Sequence, residues 1–179
     1  MRIIAGAFKG RKLHPPSDKS VRPTPDRVKE ALFSILGNHV NDAIVVDLFA
    51  GSGSLGLEAL SRGALRCYFG DNSRDSIRLI HENVSHCKAE SASRIIFGDY
   101  RNVLGQIKEK IDIVFLDPPY GKNLWEEVVE LLSESKLMNE DGLAVLEHPK
   151  EIELPQEIHG FRKIKEARYG TVVLSIYMC

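Results

Sequence analysis

The sequence predicts an α/β fold: a mostly parallel, Rossmann-like sheet of seven strands with helices on both faces and an antiparallel hairpin at its C-terminal end. Three observations carry that expectation. From Ile44 onward short apolar runs alternate with amphipathic stretches, the pattern of parallel strands joined by crossover helices. The first run leads into a glycine-rich turn, Gly51-Ser52-Gly53-Ser54-Leu55-Gly56, that opens a helix-forming stretch. The segment 161–179 holds two strand-like runs either side of Gly170, which reads as a hairpin closing one sheet edge. With 179 residues, 43% of them hydrophobic, the chain can bury one full-sized core, so a single domain over 1–179 is expected, with a basic arm over 1–23 ahead of a core over 24–179.

Taken in order, residues 1–13 alternate weakly around Gly6 and Gly10 and read as a short hairpin or extended arm. Pro15, Pro16, Pro23 and Pro25 punctuate a loop. Thr24 is then placed to cap a helix with Pro25 at its first position, because Val28, Ala31, Leu32, Ile35 and Leu36 recur on one face before Gly37 stops it. Strands are predicted at 44–49, 66–70, 94–98, 112–116 and 143–147. Helices are predicted at 74–87, where Ile77, Ile80, Val84 and Cys87 are in register, and at 124–135, where Trp125, Val128, Val129 and Leu132 are. Trp125 therefore reads as core. No stretch approaches the roughly 18 apolar residues of a membrane span, so a cytoplasmic protein without a membrane partner is expected. Cys67, Cys87 and Cys179 are odd in number and widely spaced, which supports neither a disulfide framework nor a zinc site.

The net charge of −1 conceals an asymmetry. Residues 1–30 hold eight basic side chains against Asp18, Asp26 and Glu30, a net of +5, which leaves −6 on the remainder. A basic segment on an acidic body is what a docking polyanion requires, although a solvated basic surface has the same composition.

The glycines at 51, 53 and 56 form G-x-G-x-x-G between a strand and a helix, where they let the backbone turn tightly and lie close to a nucleotide-like ligand. Asp47 ends the first strand and Asp71 the second, and an acid in the second place suits ribose hydroxyls. In a dinucleotide enzyme the turn receives a pyrophosphate, and Asp47 would add negative charge beside it. S-adenosylmethionine carries no phosphate, and its methionine ammonium suits Asp47. A dinucleotide site and a merely structural turn are the alternatives. Asp99, at the tip of the third strand, could accept from an adenine amino group or cap the helix that starts near Asn102, with equal weight.

Asp117-Pro118-Pro119-Tyr120 follows the fourth strand. An exocyclic aryl amine is a poor nucleophile because its lone pair is delocalised into the ring. The Asp117 carboxylate and the Pro118 carbonyl could accept both amino N–H bonds and favour the pyramidal nitrogen, the prolines fixing the backbone and Tyr120 stacking on an extruded base. The bland reading is a tight Pro-Pro turn. The six histidines show no metal-ligand spacing, and Glu147 and His148, ending the fifth strand near the presumed pocket, could either of them line it, with a packing role favoured.

The whole chain resembles the RsmD family, bacterial methyltransferases of guanine N2 in 16S ribosomal RNA, through residues 1–13 (MRIIAGAFKGRKL), 22–36 (RPTPDRVKEALFSIL), 47–64 (DLFAGSGSLGLEALSRGA) and 115–120 (FLDPPY). The resemblance implies a class I methyltransferase fold whose core binds S-adenosylmethionine, releases S-adenosylhomocysteine and needs no metal. It implies that Asp117, Pro118, Pro119 and Tyr120 receive the guanine, and that Lys9, Arg11, Lys12 and Arg22 lie near RNA. The cofactor contacts expected are Asp47, Phe49, Gly51, Gly53, Asp71, Asn72, Asp99, Tyr100, Arg22 and Thr24. The partner implied is 16S rRNA within an assembled 30S particle, met by a monomer. A DNA adenine-N6 methyltransferase and a non-catalytic ribosome-assembly factor are the competing readings.

Overall fold

The computed structural model describes residues 1–16, 24–118 and 124–179. Pro119, Tyr120 and Arg22 lie outside these. The helices are α1 (Asp26–Leu36), α2 (Ser54–Ser61), α3 (Arg74–Cys87), α4 (Tyr100–Gln106) and α5 (Leu124–Ser135). The strands are β1 (Ile44–Asp47), β2 (Arg66–Asp71), β3 (Ser93–Phe97), β4 (Ile111–Leu116), β5 (Met138–Pro149), β6 (Glu157–Ile158), β7 (Phe161–Tyr169) and β8 (Val172–Met178). They form one sheet in the order β3-β2-β1-β4-β5-β8-β7-β6, parallel from β3 to β5 and antiparallel from there on.

Period-two alternation sorts the side chains to two cores, as a sheet covered on both faces demands. Val45, Ile113, Phe115, Leu143, Val145, Leu174 and Ile176 pack with the N-terminal segment, α1, α2 and α3. Val46, Val114, Leu116, Ala144, Leu146 and Tyr177 pack with α4 and α5 on the opposite face. The strand order reverses at β1, so a crevice opens between the C-terminal ends of β1 and β4. Ligands bind open α/β sheets at such a switch point.

The structure departs from the sequence expectations chiefly in four places, the other strand bounds shifting by one or two residues. The sheet has eight strands rather than seven, because β6 is two residues long and leaves no periodic trace in sequence. β5 begins at Met138 rather than 143, since Asn139, Glu140 and Asp141 interrupt the apolar run while the backbone still reaches β4. β1 stops at Asp47 rather than residue 49, where the chain turns away into the glycine loop. Thr24 does not cap α1. Pro25 holds the cap position, its carbonyl accepting from the Val28 and Lys29 N–H groups, and the Thr24 hydroxyl turns instead to Glu147.

The N-terminal hairpin exists, closed by an antiparallel bridge between Arg2 and Lys12 with left-handed turns at Gly6 and Gly10. It is anchored. Ile3 and Leu13 are buried, the Ile4 and Ala5 N–H groups donate to the Glu58 carboxylate at 2.8 and 3.1 Å, and Ala7 N–H donates to the Ser61 carbonyl at 2.7 Å. Glu58 is wholly buried, paired with the equally buried Lys29 at 3.3 Å and with Arg62 at 2.8 Å. Lys29 also donates to the Arg2 carbonyl at 2.6 Å. Two buried charges are tolerable here because each is paired and hydrogen-bonded.

Candidate active site

The switch-point crevice is built from strand tips. Asp47 is 4% exposed and its carboxylate accepts the Gly56 N–H at 2.9 Å, tying β1 to the first turn of α2. Gly56 has to be glycine: a Cβ there would lie 2.3 Å from the Phe69 ring and 2.5 Å from the Cys67 sulfur. Asp71 accepts from the Gly51 N–H at 2.9 Å and the Ser73 N–H at 2.8 Å, which fixes the loop against the tip of β2. Gly51 and Gly53 adopt left-handed φ of 55° and 76°. A Cβ at Gly51 would meet nothing within 4 Å, so open space lies above the loop.

Four acidic side chains project from adjacent strands on one face. Asp47, Asp71, Asp117 and Glu147 each follow their strand in phase with residues of the α1-α2-α3 core, namely Val45, Phe69, Phe115 and Val145. The register sets Asp117 beside Glu147, because Leu116 pairs with Leu146. Such a row is costly without a cation. Burial, with the charges of Asp117 and Asp71, pushes the Asp47 carboxyl up to about 7 against the opposing hydrogen bond from Gly56. Burial also raises Asp117. Glu147 is raised by burial and then by the Asp117 charge, while the Thr24 hydroxyl at 3.5 Å favours its ionised form. A ligand carrying positive charge and hydroxyl donors fits this edge. An anion does not, which weighs against a pyrophosphate on the loop.

The remaining site residues fall into place unevenly. Phe49 is partly buried and packs near Tyr100, their ring centroids 6.4 Å apart. Tyr100 is buried and its hydroxyl donates to Glu127. Asp99 caps α4, accepting the Asn102 N–H at 2.8 Å, and its exposed carboxylate retains further accepting capacity. Asn72 is exposed after β2, and Pro118 is partly buried at the tip of β4. Lys9 and Lys12 are exposed on the hairpin, whereas Arg11 donates to the Cys87 carbonyl and, at 3.2 Å, to that of His86, the last turn of α3. His148 is buried and engages Ser175 at 2.9 Å, pointing away from the acidic row. Sequence reading left Glu147 out of the site, although its phase with Leu143 and Val145 carried the signal. The Lys29–Glu58 anchor has no such signal. Among the described residues no group of three His, Cys, Asp or Glu side chains could hold a metal ion, and no helix is long and apolar enough to cross a membrane.

Comparison with known proteins bears on the family and the fold. Residues 1–178 match the model of the family described as conserved hypothetical protein 95. The chain is similar to the ribosomal RNA small subunit methyltransferase D of Escherichia coli K12, with 36% identity covering 99% of this chain and 89% of that one. It superposes on a solved Escherichia coli structure at a TM-score of 0.89, with 35% identity over 99% of this chain and 97% of the other. An RNA methyltransferase from Salinibacter ruber, solved in complex with S-adenosyl-L-homocysteine, shares the fold alone, at a TM-score of 0.66 and 13% identity over 88% and 93% of the two chains. With a class I methyltransferase fold and these relatives across nearly its whole length, the chain belongs to the conserved hypothetical protein 95 family, which is the RsmD family.

Proposed function

We propose that the protein methylates the exocyclic N2 amino group of one guanine in 16S ribosomal RNA, within an assembled small subunit, using S-adenosylmethionine. The observation that carries this reading is Asp117 followed by Pro118 at the tip of β4, next to the β1 tip where Asp47 ends and the glycine loop begins. When bound, S-adenosylmethionine supplies an electrophilic methyl group on a sulfonium, which sulfur releases while keeping the electrons of the broken carbon–sulfur bond. Asp47 and Asp71, at the glycine-loop end of the row, would hold the cofactor, the first suiting its ammonium and the second its ribose hydroxyls. Asp117 and the Pro118 carbonyl accept the two amino N–H bonds, so that the nitrogen lone pair is turned out of conjugation toward the methyl carbon. As the new carbon–nitrogen bond forms, positive charge develops on nitrogen, and the ionised Asp117 stabilises it and receives the departing proton. Holding amine and methyl in line supplies much of the remaining acceleration. Lys9 and Lys12, exposed on the hairpin whose turn lies against Ser61 and Cys87 at the C-terminal ends of α2 and α3, suit an RNA backbone that extends beyond the crevice.

The deciding experiment uses methyl-labelled S-adenosylmethionine with three acceptors: unmodified small subunits, naked 16S RNA and duplex DNA. N2-methylguanosine from the subunits is expected. N6-methyladenine from DNA would replace the substrate, and cofactor binding without label would make the protein a non-catalytic assembly factor.

A further inference from the structure

Along the C-terminal edge of the sheet the acidic residues run Asp71, Asp47, Asp117, Glu147, on β2, β1, β4 and β5. The glycine loop lies at the Asp71–Asp47 end. Glu147 stands at the other end, one strand beyond Asp117, and adjacent strands lie about 4.8 Å apart. A base whose amino group is held by Asp117 has its reacting nitrogen toward the loop and the rest of its Watson–Crick edge within reach of β5. Extruded bases are read along that edge.

The chemistry of the edge separates the purines. In guanine the N2 amino group adjoins N1–H, so two donors stand side by side. In adenine the N6 amino group adjoins an N1 lone pair. A carboxylate only accepts when ionised. Donation from N1–H, added to that from Thr24, favours the ionised Glu147 against its burial, and in that form it completes guanine's edge and repels the N1 lone pair of adenine. Glu147 is partly buried, shares the face of Asp117, and receives one hydrogen bond among the described residues, from the Thr24 hydroxyl at 3.5 Å. That leaves its carboxylate with unused accepting capacity.

We infer that Glu147 is a base-recognition residue, whose carboxylate accepts the N1–H of the guanine whose amino group Asp117 and Pro118 hold. The inference rests on the guanine-N2 reading above. It also accounts for two carboxylates side by side at the substrate end of the row: one positions the reacting amine, the other selects the purine. Thr24 orients Glu147 from the chain ahead of α1.

The test compares guanosine with 2-aminopurine at the modified position of 16S RNA assembled into small subunits, once that position is mapped with the wild-type protein. The analogue keeps the 2-amino group and lacks N1–H. Wild-type protein should favour guanosine in kcat/KM by about ten- to hundred-fold, the range for one well-placed base contact. In Glu147→Gln, which keeps the side-chain shape, and in Glu147→Ala, that preference should shrink to within about three-fold. S-adenosylmethionine affinity should stay at the wild-type value in both, and thermal melting shows that each is folded. A preference retained in both variants overturns the inference, as does cofactor affinity that falls in step with activity, which would put Glu147 on the cofactor side. If wild-type protein yields a product other than N2-methylguanosine, the underlying reading fails, and it is seen to fail without any variant.

Discussion

Single carboxylates decide this site, and each has a different consequence when changed. Replacing Asp117 with Ala removes the acceptor proposed for the amino N–H while leaving the glycine loop untouched. Methylation should fall by about a hundred-fold or more, the cost of losing one transition-state acceptor, with cofactor affinity by calorimetry nearly intact. Asp47 makes the unliganded protein sensitive to pH. Its folded pKa of about 7 lies above the ordinary value of 3.8, so between those limits the folded state binds more protons than the unfolded one. Stability of the unliganded protein should therefore decline as pH rises from about 4 to about 7. Glu147, raised in the same sense, adds to the decline. A cationic cofactor favours the ionised carboxyl, so its affinity should increase over that same interval. Melting temperatures from pH 5 to 8, with and without S-adenosylmethionine, check both signs, and Asp47→Asn should flatten the unliganded curve. An unliganded protein that gained stability toward pH 7 would contradict the assignment.

Elements were legible wherever their periodicity was undisturbed. α3 and α5 stand at their predicted bounds because each has a continuous apolar stripe. The ends of β5 and the two residues of β6 were hidden, since hydrogen bonding to a neighbour defines them and polar residues break the apolar run. Asp99 was open between two roles, and the cap geometry of α4 accounts for one of them. The glycine motif was legible as a pattern, but its third glycine has a packing cause that only the fold reveals. Gly56 lets α2 approach β2, and Gly56→Ala should drive a methyl into the Phe69 ring and the Cys67 sulfur. Overpacking of this kind costs about 1–3 kcal/mol. Thermal melting should register it, together with weaker cofactor binding as the loop shifts; an unchanged melting temperature would mean that α2 is free to move aside.

Over the whole molecule, the sequence announced a basic N-terminal segment, but not that the hairpin is fixed to α2 through Glu58 or that Arg11 is engaged by the end of α3. Charge composition cannot distinguish a cation facing solvent from one facing a carbonyl. Lys9 and Lys12 are exposed and are the hairpin cations proposed for RNA; on that proposal, replacing both with Ala should lower RNA affinity and reduce the slope of log affinity against log salt by roughly one to two units. An unchanged slope in a filter-binding titration would move the docking surface elsewhere. During synthesis β8 follows β6 and β7, yet in the sheet it lies between β5 and β7. Until its residues have left the ribosome, β5 has a bare edge and the β6-β7 pair has nothing to join, so the β5 side of the crevice is framed only once β8 has emerged.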